Sequence, residues 1–252
     1  MTSEPAATPR DEIRRWWDED AGVYDDVPNH ALSDPAEAAA WRAALIRLLP
    51  PPGARVLDAG AGTGAISILL AELGYRVTAL DLSEQMLARA RQKAEARNLE
   101  VEFVVGPVEE PPAGPFDAVV ERHVLWTTLD PGAVLAAWRG AAPGGRLVLL
   151  EGLWGHESVV DRARAMLADR VRTARGEHHG GHHGEYDPEL LERLPLARQR
   201  TLGPLVRYVT DAGWSGVRLE RLRDVEWARQ MAVGAVLGTL QATPQFAIAA
   251  DA

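Results

Sequence analysis

The 252 residues carry a formal charge of −9 and no cysteine, which excludes disulfides, thiolate chemistry and Cys-based zinc sites. No basic run interleaves with aromatics, so no nucleic-acid partner is expected, and no apolar run is long enough to span a bilayer. With 46% hydrophobic residues, ordinary for a globular chain, and no signal-peptide pattern in residues 1–10, a cytoplasmic protein with no membrane partner is expected.

Ile13, Trp16 and Trp17 predict a short helix over residues 11–20, followed by Tyr24. A second helix starts at Asp34 as N-cap, with Pro35 in its first turn and Glu37 closing a capping box. Trp41, Leu45, Leu48 and Leu49 form its apolar stripe, and Pro50-Pro51-Pro52-Gly53 ends it. Val56 and Leu57 then read as a buried strand, broken by Gly60, Gly62 and Gly64 into a turn that opens a helix carrying Ile66, Leu69, Leu70 and Leu73. The strand over 76–80 delivers Asp81, and Ser83 caps a helix with Met86, Leu87 and Ala90 on one face. Residues 101–105 and 116–120 are further strands, the second leading into Glu121-Arg122-His123. Asp130-Pro131 caps a helix with Val134, Leu135 and Trp138 inward, and the strand over 146–150 ends at Glu151. An Arg-rich helix over 159–171 and a His- and Gly-rich loop follow. The helix ending at Gly213, a strand at Val217 and Leu219, a helical stretch over 225–240 and a strand over 245–249 complete the chain.

The glycine turn carries the chemistry. Gly60-Ala61-Gly62-Thr63-Gly64-Ala65 fits a loose dinucleotide pattern, but Asp58, at the strand's carboxyl end, would repel a pyrophosphate and attract an ammonium. About twenty residues on, Asp81 stands where an acid takes both hydroxyls of a ribose. An ammonium-binding acid, a ribose-binding acid and no phosphate describe S-adenosylmethionine.

On the stretches 56–64, 79–87, 116–120 and 143–150, the chain resembles the class I S-adenosylmethionine-dependent methyltransferases. The resemblance implies an α/β, Rossmann-like fold: a mostly parallel seven-stranded sheet with helices on both faces and a helical lid. It divides the chain into an N-terminal cap (1–50), a cofactor-binding core (51–152), an inserted lid (153–200) and the C-terminal part of the sheet (201–252). S-adenosyl-L-methionine is the implied cofactor. Tyr24, Asp58, Gly60, Ala61, Gly62, Gly64, Asp81, Leu82, Met86, Val108, Glu109 and Arg122 are its expected contacts. Relatives often place an acid after the glycine that follows the third strand; this chain has Pro107, which leaves the adenine end to Val108 and Glu109.

His123 is the candidate base or substrate-orienting donor. Trp16, Trp17, Trp126, His178 and His182 are the expected acceptor contacts. His178, His179, His182 and His183 lie near Glu177, Glu185 and Asp187, yet known zinc spacings are absent and no metal is expected. The motif Asn-Pro-Pro-aromatic, associated with methylation of planar exocyclic nitrogens, is replaced by Glu121-Arg122-His123-Val124. The function expected is methyl transfer to O or N of a small molecule, with secondary metabolism as its setting. A non-catalytic S-adenosylmethionine-binding protein and a nicotinamide-dependent oxidoreductase are the alternatives.

Overall fold

The computed structural model describes residues 8–27, 29–152, 159–175 and 186–252. The elements run α1 (Pro9–Asp20), α2 (Pro35–Leu48), β1 (Arg55–Ala59), α3 (Ala65–Glu72), β2 (Arg76–Asp81), α4 (Glu84–Glu95), β3 (Val101–Val105), β4 (Ala118–Arg122) and α5 (Pro131–Ala141). They continue with β5 (Arg146–Gly152), α6 (Val159–Arg175), α7 (Pro188–Arg193), α8 (Gly203–Asp211), β6 (Ser215–Arg221), α9 (Arg223–Ala232), α10 (Ala235–Leu240) and β7 (Gln245–Asp251).

The strands form one seven-stranded sheet in the order β3-β2-β1-β4-β5-β7-β6. The first five are parallel and β7 runs antiparallel to both neighbours. The chain leaves β1 toward β2 and later returns to β4 on its other side, so a crevice opens at the carboxyl ends of β1 and β4, where such sheets bind ligands.

The sheet is buried on both faces because its strands are apolar at successive positions and successive side chains point opposite ways. Val56, Val120 and Val148 join Trp41 and Leu45 of α2, Leu70 of α3 and Val225 of α9 in one cluster. Leu57, Val119 and Leu149 join Val134, Leu135 and Trp138 of α5 and Leu205 of α8 in the other. Trp138 is fully buried and its indole N–H donates to the Val108 carbonyl at 2.8 Å, so the aromatic anchor leaves no polar group unpaired. Truncating it to alanine would cost about 3–5 kcal/mol.

Two local expectations are revised. At α2, Asp34 alone caps, accepting from the Ala36 and Glu37 amides at 2.9 Å each; Glu37 is not folded back as a box but is buried beside Arg229 of α9. The capping box stands instead at α1, between Thr8 and Asp11. The helical stretch over 225–240 is broken at Gly234, whose φ of +85° only glycine adopts readily, into α9 and α10. Among the described residues, no helix is long and apolar enough to cross a membrane.

Candidate active site

The turn after β1 holds its shape through its own amides. Gly60 and Ala61 donate to the Leu80 carbonyl at 2.8 and 3.0 Å, and Gly64 donates to the Ala61 carbonyl at 2.9 Å. The Gly62 amide donates to Asp81 Oδ2 at 2.7 Å, while the Ser83 amide donates to Asp81 Oδ1 at 2.8 Å. These amides are therefore not open to a pyrophosphate, and the carboxylate of Asp81, with about four acceptor sites, has capacity beyond the amides that hold it. Burial pushes Asp81 up to about 6, with the two amides opposing that rise. Gly62 has φ +54°, and an added Cβ there would meet no atom within 4 Å, so the space above it is open.

That space is a partly open cavity. Gly60, Gly62, Asp81, Leu82, Met86, Val108, Glu109, Tyr24, Arg122, His123 and Trp17 line it, together with Pro107, Thr127, Thr128, Leu129, Ile13 and Arg10, which the sequence reading did not single out as cofactor contacts. The apolar residues Leu82, Met86 and Val108 beside a carboxylate that still has acceptor capacity fit a phosphate-free nucleoside such as S-adenosylmethionine. Of the other expected cofactor contacts, Asp58, Ala61 and Gly64 do not line the cavity. Asp58 is buried under the turn and accepts from Ser67 Oγ at 2.5 Å; burial raises it to about 6 while Ser67 and Arg122 oppose. Ala61 packs against Ala79 and Leu87, and a Cβ on Gly64 would meet Ala90 Cβ at 2.8 Å, so these two let α3 and α4 approach the sheet.

The N-terminal segment closes this cavity from above. Ser83 Oγ donates to Asp18 at 2.6 Å, Thr63 Oγ1 donates to Asp25 at 2.7 Å, and Lys93 pairs with Asp25 at 2.6 Å. Arg122 donates to the His30 carbonyl at 2.9 Å and to the Asn29 carbonyl at 3.4 Å.

A second cavity of about 390 Å³ adjoins the first and shares Trp17, Tyr24, Arg122 and His123 with it. Trp126, Val27, Leu196 and Ala197 form its apolar side; Asn29, His30, Glu151, Gln199 and Arg229 form its polar side. Trp16 lines neither cavity. It stacks on Tyr186 with ring centroids 4.5 Å apart and interplanar angle 11°, in the small core that also holds Ile13, Leu190 and Leu194. The part of the inserted region facing the cavity is thus the stretch around α7, whereas α6 ties to the α10 end through Arg164 on the Thr239 carbonyl and Arg172 on Gln241. His178 and His182 lie outside the described residues. Among the described residues no group of His, Asp and Glu gathers to hold a metal.

His123 stands in the wall between the cavities with φ +61°, a left-handed conformation costing a non-glycine residue about 1 kcal/mol or more, and it immediately follows β4. Its Nδ1 lies 3.3 Å from Glu151 Oε2. Burial, and then the positive charges of Arg122, Arg229 and His30, hold its pKa well below 6.5, so it is neutral at pH 7. Glu151 and Glu121, at the ends of β5 and β4, are both buried; loss of solvent pushes Glu121 up to about 8 and Glu151 well above the usual carboxylate range, with Glu121 adding to the latter. With His123 uncharged, its contact with Glu151 is a hydrogen bond rather than an ion pair. Glu151 and Arg229 were not singled out from sequence. A signal for the latter existed: Glu37 sits four residues before Trp41 on the buried stripe of α2, and an acid there requires a distant cation.

Residues 57–149 match a family model described as "Methyltransferase domain". The chain is 38% identical over 145 residues to the ubiquinone biosynthesis O-methyltransferase of Xanthomonas axonopodis pv. citri, over 54% of this chain and 55% of that protein. To the protein of the same name from Xanthomonas oryzae pv. oryzae it is 36% identical over 183 residues, 66% of this chain and 67% of that one. The chain spans about half the length of the first of these relatives. Among solved structures, the cyclase SpnF superposes with a TM-score of 0.64 at 17% identity, over 98% of this chain and 96% of that one. At that identity the likeness concerns the fold alone, since one fold hosts different reactions.

Proposed function

Because the chain belongs to the class I S-adenosylmethionine-dependent methyltransferases, we propose that it transfers a methyl group to an oxygen or nitrogen of a small molecule. The observation that carries this reading is the position of His123, which lines both the cavity beside the glycine turn and Asp81 and a second, aromatic-lined one. When bound, S-adenosylmethionine supplies a methyl on a sulfonium, and the S–CH3 electron pair returns to sulfur as the acceptor's lone pair forms the new bond.

The protein's part is to hold and align. Asp81 accepts the ribose hydroxyls on its remaining acceptor sites, and Leu82, Met86 and Val108 clasp the adenine, with Glu109 at its polar edge. Tyr24 and Arg122 stand at the amino-acid end. Asp58 acts from behind the turn, where its charge favours an ammonium without touching it. Trp17 and Trp126 flank the acceptor and exclude water. For a hydroxyl acceptor, the neutral imidazole of His123 takes the proton at Nε2, with Nδ1–H turned to Glu151; an amine that binds neutral needs less help.

Calorimetry of the full chain with S-adenosylhomocysteine and with NAD tests the reading. Saturable binding of the first and none of the second is expected; the reverse would return the site to a nicotinamide enzyme.

A further inference from the structure

Arg229 reaches the second cavity from α9 with its side chain 16% exposed. Its Nε lies 3.4 Å from Glu37 Oε1, an ion pair without a hydrogen bond, and among the described residues its N–H groups have no hydrogen-bond partner. A guanidinium has five such donors, and none of Arg229's nitrogens is among the fully buried unpaired atoms, so an acceptor entering the cavity can meet them. Arg122, on the same cavity, donates only to backbone carbonyls. Of the carboxyls near these cations, Glu37 pairs with Arg229 and lines no part of the cavity, Asp58 lies under the glycine turn on Ser67, and Glu151, on the cavity, has Oε2 against His123. Among the described residues, the cavity therefore presents two guanidinium groups and one carboxyl, Glu151, together with apolar surface from Trp17, Trp126 and Leu196.

We propose that Arg229 seats an anionic group of the methyl acceptor, which is thus a small acid: an apolar, ring-sized body bearing a carboxylate or a phosphate. The inference rests on the methyl-transfer reading, because it takes the second cavity as the acceptor's. Arg229 orients the acid by a planar, two-pronged contact. The apolar body then lies between the tryptophans and the atom to be methylated points at His123. Arg122, shared by both cavities, remains at the cofactor's amino-acid end.

The test uses the full chain saturated with S-adenosylhomocysteine and titrated with 3-hydroxyphenylacetate, its methyl ester and phenyl phosphate. At least one of the two acids is expected to bind tenfold or more tighter than the ester, and the stronger acid identifies the headgroup. In Glu37→Gln/Arg229→Met, which removes both members of the buried pair and leaves neither charge unpaired, that preference is expected to vanish while the Kd of S-adenosylhomocysteine stays within twofold. Equal affinity for the ester, no measurable affinity for either acid, or a preference that survives the double variant overturns the inference. The comparison of acids with ester on the parent chain needs no variant, so it holds even if the double variant fails to fold. Failure of S-adenosylhomocysteine itself to bind would instead bring down the methyl-transfer reading.

Discussion

The cavity under the glycine turn and the cavity beside Arg229 share the wall containing His123 but are built in different ways. The first draws most of its wall from residues 60–62, 81–86, 107–109 and 122–129, inside the stretch that matches the family model, and its key acid is held by backbone amides. The second is assembled from side chains at 17–30, 122–126, 151, 196–199 and 229. A site made by backbone geometry tolerates changes in neighbouring side chains; one made by side chains from separate elements can be rebuilt without disturbing the sheet. This difference is why the family match covers most of the first cavity's wall and leaves the second to this chain's own residues.

Variants should separate the two cavities. The largest effect is expected at the shared wall: His123→Ala should lower turnover of a hydroxyl acceptor by roughly 10²–10⁴-fold, read by initial rates, while the Kd of S-adenosylhomocysteine stays nearly constant. Turnover close to the parent's would remove His123 as a base. Next, Asp81→Ala deletes an acceptor of charged hydrogen bonds worth roughly 2–4 kcal/mol in all, so S-adenosylhomocysteine should bind roughly 30- to 1000-fold more weakly by calorimetry. Binding of an acid probe in the second cavity should hardly change.

Acidity should act on the first cavity in the same direction but less steeply. Burial raises Asp81 from 3.8 to about 6 in the folded chain, and ribose hydroxyls need its ionised form. Affinity for S-adenosylhomocysteine should therefore fall by up to about tenfold per pH unit below about 6. The sign for the free protein is opposite. A carboxyl whose folded pKa is raised contributes stability that is complete below 3.8 and is lost as pH rises through about 6. The melting shift produced by the ligand should consequently shrink on acidification; a shift that stays constant from pH 7 to 5 would count against Asp81 as the ribose acid. The smallest effects come from a pair of glycines. A Cβ on Gly60 would stand 2.1 Å from Val124 Cγ2, so Gly60→Ala should cost about 1–3 kcal/mol and lower Tm by several degrees. Gly62→Ala meets no protein atom, so it should weaken S-adenosylhomocysteine more than it lowers Tm.

Much of the fold could be read from residues adjacent in the chain. The pattern at Val56 and Leu57, the glycines after Asp58 and the helical spacing from Ile66 specify strand, turn and helix in succession, because φ preferences and side-chain period act between near neighbours. Asp81 was legible for the same reason, since a strand's last residue beside the switch point has little choice of place. Asp58 was legible as an acid at a strand end, but its turn toward Ser67 depends on where α3 packs. Trp16 and Trp17 look alike in sequence, yet one is stacked on Tyr186 and the other lines both cavities, a distinction made by the α7 stretch that covers them.

Sequence alone thus determined the order of the elements, the cofactor turn and the acid that closes it, all set by chemistry within a few residues. Only the tertiary structure decided that Glu151 meets His123, that Glu37 pairs with Arg229, and that a second cavity opens beside His123 and Arg229. Those encounters depend on strand register and helix packing across the whole sheet, and no local pattern of residues encodes such distances.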